Sequence, residues 1–215
     1  LIMKKSNQMV KFLIFLLPIL LFARGKVIYS PPAETNVSAP WLTGPLLCPA
    51  SHVVPLGHVN IQPYIFAVAY TGSFSSDWKK QSSPTFWNNL SQIFIQIGIA
   101  PWMDLAVTPS VLWNYSQHQS SFEFGDISAG FDIQLYASPL YSPVPAFKLL
   151  VRENFPTGKY RNLNPKKYFT DDGGIGSFAT TFGIVFGNIY HIQGVHFFNY
   201  RMALTYTLPA PVRLT

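Results

Sequence analysis

The sequence predicts an all-β fold: an antiparallel up-and-down β-barrel of the transmembrane, outer-membrane type, behind an N-terminal signal peptide. Three observations carry that expectation. Segment after segment alternates apolar and polar residues with a period of two, which puts one kind of side chain on each face of a strand. Hydrophobic residues make up 48% of the chain and charged ones only 11%; soluble domains carry about a quarter charged. No apolar run after residue 25 approaches the roughly 20 residues that a spanning helix needs, so strands are the remaining way to meet a bilayer.

The chain divides into three stretches. Residues 1–25 read as a signal peptide: Met3-Lys4-Lys5 and Lys11 form a positive start, Phe12 to Phe22 is apolar, and Ala23-Arg24-Gly25 offers a cleavage site before Lys26. A membrane anchor helix is the alternative, and the run is short for one. Residues 26–55 hold Pro31, Pro32, Pro40, Pro45, Pro49 and Pro55 and read as an extended lead. Residues 56–215 are the expected barrel. The net charge of +6 belongs mostly to the leader; without it 11 basic side chains face 9 acidic ones. That gives no basic patch and no expectation of nucleic-acid binding. Cys48 is the one cysteine. It excludes an internal disulfide and a cysteine-based metal motif, and it lies too far behind the apolar run to be a lipid anchor. Export without disulfides fits a bacterial envelope.

Seven strands follow in order. The first is Gly57 to Thr71. The second, Leu90 to Ile99, sets Ile93, Ile95, Ile97 and Ile99 against Gln92, Phe94, Gln96 and Gly98. After a turn at Ala100–Asp104, the third runs from Leu105 to Tyr115, with Pro109 as a bulge or edge signal inside it. The fourth, Glu123 to Ala137, is the clearest: Ile127, Ala129, Phe131, Ile133 and Leu135 alternate with Asp126, Ser128, Gly130, Asp132 and Gln134. The fifth, Ala146 to Asn154, sets Phe147, Leu149 and Val151 against Lys148 and Arg152. The sixth is Gly176 to Gly187. The seventh, Val195 to Leu208, sets Phe198, Tyr200, Met202, Leu204 and Tyr206 against Asn199, Arg201, Ala203 and Thr205.

The links between these strands alternate long and short, with Gly72–Asn89, Ser116–Phe122 and Phe155–Ile175 as external loops and short turns on the other side. Aromatic residues near strand ends, Tyr70, Trp102, Trp113, Tyr115, Tyr136, Tyr141 and Tyr190, are the candidate girdle at the membrane–water boundary. The charged and amide residues on the polar faces, Asp126, Asp132, Gln134, Lys148, Arg152 and Arg201, are candidates to line a lumen and tune selectivity. Pairing among themselves to fill a narrow interior is the competing role for the same charges.

Gly57-His58-Val59-Asn60-Ile61-Gln62-Pro63-Tyr64-Ile65-Phe66 resembles the first strand of porin-like outer-membrane proteins. Phe155-Pro156-Thr157-Gly158, with Gly174-Ile175-Gly176-Ser177 after a loop, resembles the paired Pro-Thr-Gly and Gly-x-Gly elements of the outer-membrane transporter family named for the meta-pathway of phenol degradation. The resemblance covers roughly residues 55–208 and implies a barrel that passes small solutes, hydrophobic or aromatic ones included. Two departures stand out. Bacterial barrels have even strand numbers, against seven here, and such barrels end on an aromatic residue read by the assembly machinery, where this sequence ends Arg213-Leu214-Thr215. Both point to a truncated barrel.

No enzyme is expected. There is no Gly-x-Ser-x-Gly elbow, and His118 and Ser120 read as ordinary loop residues. His191 and His196 lack further ligands for a metal, and Asp171-Asp172-Gly173-Gly174 lacks the alternating acids and later glutamate of a calcium loop. No cofactor and no metal are expected. The predicted partners are the lipid bilayer, small solutes and the outer-membrane assembly machinery. The predicted location is the outer membrane of a Gram-negative-type bacterium, and the predicted function is porin-like passage. The rivals are a structural or adhesive barrel without transport, an outer-membrane hydrolase, and a secreted lipocalin-like barrel with its apolar face inside.

Overall fold

Nine strands build one antiparallel sheet: β1 (Val59–Phe74), β2 (Lys80–Ala100), β3 (Met103–Thr108), β4 (Ser110–Ser116), β5 (Gln119–Phe124), β6 (Ile127–Tyr136), β7 (Ala146–Phe155), β8 (Ala179–Gln193) and β9 (His196–Pro209). The computed structural model describes residues 48–139, 142–193 and 196–211. The expected signal peptide, the lead up to residue 47, Tyr141 and the last four residues lie outside these, as do the side chains of His191 and His196. No α-helix occurs among the described residues; Pro165–Lys167 forms one 3-10 turn, capped by Asn164.

The third expected strand is split into β3 and β4, and the fourth becomes β6 with the last two residues of β5; the rest of β5, Gln119 to Phe122, lies where an external loop was expected. Pro109 causes the first break. It has no N–H to give the ladder, while its carbonyl still accepts from Ile93 N at 3.2 Å. The second break lies directly across from it. Gly125 N donates to Ser110 O at 2.9 Å, and a Cβ on Gly125 would stand 2.1 Å from Ser110 Oγ. Thus β2 pairs β3 along one half and β4 along the other, β3 pairs β6, and β4 pairs β5. Elsewhere each strand pairs its neighbour in sequence.

The connections correct the expected loop pattern. Residues 72–89 are not an external loop: β1 and β2 run on as a long hairpin closed at Ser75–Lys79, where Ser75 N donates to Lys79 O at 2.9 Å. The β4–β5 turn is only Gln117-His118, both with positive φ (47° and 64°), as a tight hairpin turn of matching twist requires. The 137–145 link is longer than that turn, so long and short do not alternate. Only the 156–178 link is long as expected.

Among the described residues the sheet is open. β1 pairs only β2, and β9 pairs only β8. Its two faces are inverted relative to a soluble protein. Ile65, Phe124 and Leu204 are 79%, 73% and 73% exposed, and Ile61, Trp113, Phe122, Met202 and Tyr206 share their face or its continuation. The sheltered face carries Gln96, Asp104, Asn114, Asp132, Gln134 and Lys148, all buried. Small residues, Ala106, Ala146, Gly183 and Val185, fill the space between them.

Candidate functional site

The register sets the centre of the sheltered face. Asp104 on β3 lies directly opposite Asp132 on β6, and Asp132 lies opposite Leu150 on β7, flanked by Lys148 and Arg152. Two carboxylates side by side on one sheet repel each other unless cations come between. Lys148 Nζ meets Asp132 Oδ2 at 2.7 Å, and Arg152 Nη2 meets Asp132 Oδ1 at 2.5 Å. Asp132 and Lys148 are both wholly shielded from solvent. Gln96 Nε2 spans both acids, at 3.3 Å from Asp104 Oδ2 and 3.4 Å from Asp132 Oδ2. Three buried polar atoms here, Asp104 Oδ1, Asp132 Oδ1 and Arg152 Nη1, have no hydrogen-bond partner among the described residues, Asp132 Oδ1 keeping only its ion-pair contact with Arg152.

The expected lumen-lining residues therefore separate. Asp132, Lys148 and Arg152 come together and spend their charges on one another. Gln134, on the same face, spends its amide on backbone: Nε2 donates to Tyr136 O at 2.8 Å and to Phe147 O at 2.9 Å. Arg201 stands apart on β9, opposite Gly187, and makes no ion pair among the described residues. Asp126 serves a different structure, the long 156–178 loop.

That loop is pinned by the motif residues. Asp126 accepts from Gly158 N (2.9 Å), Ile175 N (2.9 Å) and Asn154 Nδ2 (3.0 Å). Thr157 Oγ1 donates to Gly125 O and accepts from Ile127 N, both at 3.0 Å. Pro156 precedes these contacts at the end of β7. The two glycine elements need their missing Cβ atoms, because one on Gly158 would stand 2.3 Å from Gly173 O and one on Gly174 would stand 2.3 Å from Asp126 Oδ1. Gly176, at φ 68°, lies under the Tyr160 ring. Farther along, Asn114 Nδ2 on β4 donates to Thr170 O and Asp172 O, and Lys159 Nζ meets the fully shielded Asp171 at 2.7 Å. Burial opposes the ionisation of Asp171, but the Lys159 ammonium and the Asn164 N–H outweigh it and hold its carboxyl below the usual range.

A second cover reaches the same face from the N-terminal side. Residues 51–55 form a strap whose backbone is read by sheet side chains. Val53 N donates to Gln134 Oε1 (2.8 Å), Val54 N donates to Asp104 Oδ2 (2.9 Å), and Gln134 Nε2, whose two hydrogens are shared with Tyr136 O and Phe147 O, also reaches Ser51 O (3.0 Å). Gly98 lies beneath it: a Cβ there would stand 2.0 Å from Pro55 O and 2.5 Å from Val54 O. Sequence reading missed both the strap and Asp104. The signal for Asp104 was present, since it keeps the parity of Ala106 and Thr108 on the polar face. The strap has no such signal, because its contacts use only main-chain atoms.

The candidate girdle also divides. Trp113 and Tyr115 lie on the apolar face, and Tyr190 stacks on Tyr200 at 5.9 Å between ring centroids and donates to Pro143 O. Trp102 occupies the two-residue β2–β3 turn, and Tyr136 pairs Phe147 after a register shift. Tyr70 departs from the expectation. It packs against Phe86, ring centroids 6.3 Å apart, in the parity of Gln62 and Gln92 and so on the polar side. No group of three or more metal-ligating side chains occurs among the described residues. No family model, no curated protein and no solved structure matches the chain.

Proposed function

We propose that this sheet is the wall of an outer-membrane β-barrel that passes small solutes through a polar lumen. One observation carries the reading: the large apolar side chains face outward and the charges and amides face inward. In water such a sheet exposes a broad apolar surface, which marks a contact with another apolar phase. In a bilayer the arrangement is the expected one. A lipocalin-like barrel would shelter the apolar face instead. The reading requires the free edges of β1 and β9 to be paired in hydrocarbon, where an open edge is too costly to persist.

Arg201 is the lumen candidate left without an ion pair among the described residues to bias passage, since Lys148 and Arg152 share Asp132. The test is single-channel recording in planar bilayers. Arg201→Glu shifts ion preference toward cations, whereas Lys148→Met changes it little. Probes at Phe131, Ile133 and Met202 report lipid contact. A water-soluble monomer with those three positions buried would end the proposal. The sealed barrel without transport is the second reading, favoured by the strap and by the paired interior charges; absence of conductance in correctly inserted protein is its signature.

A further inference from the structure

The strap also indicates what the polar face binds. Gln134 takes the carbonyl of Ser51 and the N–H of Val53, residues i and i+2 of an extended chain. That is the pair of groups a strand offers to a parallel neighbour, so one side-chain amide stands in for a strand. Asp104 Oδ2 takes the next N–H, from Val54. All three contacts read main chain, and none depends on which side chains the strap carries. Asp104 Oδ1 and Arg152 Nη1, buried nearby without partners, add one acceptor and one donor. Buried polar groups of this kind are costly unless something satisfies them. Gly98 supplies the close approach that a backbone needs and a side chain does not. Affinity through main-chain hydrogen bonds to an extended segment is how strand addition captures peptides.

We infer that Gln134, Asp104, Arg152 and Gly98 form a subsite for extended peptide backbone, that the strap is its resident occupant, and that short peptides are the solutes that compete for it. Passage of those peptides rests on the porin reading; their binding does not.

The experiment uses the full chain folded in detergent micelles and the same protein in planar bilayers. Val53→Pro/Val54→Pro removes both donor N–H groups of the strap and leaves the sheet untouched; if that variant fails to fold, Val54→Pro alone makes the same comparison. Calorimetric titration with acetyl-trialanine-amide is expected to show binding to the variant on the order of a hundredfold tighter than to wild type, since two hydrogen bonds no longer favour the strap. The N-methylated tripeptide should not bind, and adding Gln134→Leu should abolish binding. Equal affinity for the N-methylated peptide, equal affinity for a trisaccharide, or no peptide binding at all overturns the subsite. Peptide binding in micelles with no conductance in bilayers retains the subsite and removes the porin reading. Conductance without peptide binding does the reverse.

Discussion

Gly98→Ala tests how the strap is held. Alanine suits a strand at least as well as glycine, and by reducing the freedom of the unfolded chain it stabilises by about 0.4–1 kcal/mol where space allows. Here space does not allow it. The new Cβ would meet Pro55 O at 2.0 Å, Pro55 C at 2.5 Å and Val54 O at 2.5 Å, whereas ordinary contact begins at 3.4 Å. All three atoms are backbone, so no side chain can swing aside and the strap must retreat by more than an ångström. Val54 N then leaves Asp104 Oδ2, now at 2.9 Å, and Val53 N leaves Gln134 Oε1, now at 2.8 Å. A hydrogen bond to a charged group contributes about 1.5–3 kcal/mol and a neutral one about 1. Their loss raises strap opening by roughly 3 kcal/mol, about a hundredfold in population. Hydrogen exchange at the Val53 and Val54 amides reads that factor directly. Protection there falls by about two orders of magnitude, while amides in the β6–β7 ladder keep theirs. Unchanged protection at Val53 and Val54 would refute the seating of residues 51–55 on this face.

Three further outcomes follow from the ion pairs and the loop. Asp132→Asn leaves Lys148 and Arg152 buried without an anion, and unfolding in urea from detergent micelles shows a loss of about 3–5 kcal/mol; a loss under 1 kcal/mol would mean that the cations find other partners. Asp126→Ala frees Gly158 N, Ile175 N and Asn154 Nδ2 together, so trypsin cuts after Lys159 or Arg161 at least tenfold faster while the β-sheet circular dichroism stays unchanged. Acid releases the same loop. Asp171 is depressed in the folded state, so its contribution is complete above the ordinary carboxylate pKa and disappears as pH falls through the lower folded value. Exchange of the 159–171 amides therefore accelerates only below about pH 4, and Lys159→Met moves that onset upward.

Period two made most of the sheet legible. Where one face is apolar and the other polar, as at Asp126 to Leu135 or Phe198 to Leu208, strand and facing could both be read; in the first the polar Asp132 and Gln134 are buried while Ile127 and Leu135 are exposed, whereas from Met202 to Leu208 both faces of β9 are exposed. The pattern failed where both faces are wet. Lys80 to Thr85 form the start of β2 with every residue exposed; nothing selects an alternation there, so the stretch read as loop. Pro109 was visible as a defect, but the matching break at Gly125 was not, because it follows from a cross-strand contact with Ser110. At the site, parity placed Asp132, Lys148 and Arg152 on one face but could not say that both cations pair with the one acid. That depends on register, which brings Asp132 opposite Leu150 and between the two cations. The Pro-Thr-Gly and Gly-x-Gly elements were legible as a pair, and their purpose, the grip of Asp126 on two backbone turns, required three dimensions.

Strand direction restricts how the open edges close. Seven antiparallel passes, counting β3 with β4 and β5 with β6 as one pass each, leave β1 and β9 running the same way. Joining those two edges directly would pair them in parallel. A second copy inserted with the same topology does not help, since its β1 runs parallel to the first copy's β9 although the total becomes even. Antiparallel closure, the rule for bacterial barrels of even strand number, therefore takes an odd number of added strands, beginning and ending opposite in direction to β1 and β9. The barrel reading thus makes a demand that a soluble sandwich would not: in the bilayer both edges carry a partner, and backbone amides along the outer edges of β1 and β9 exchange as slowly as those of β7.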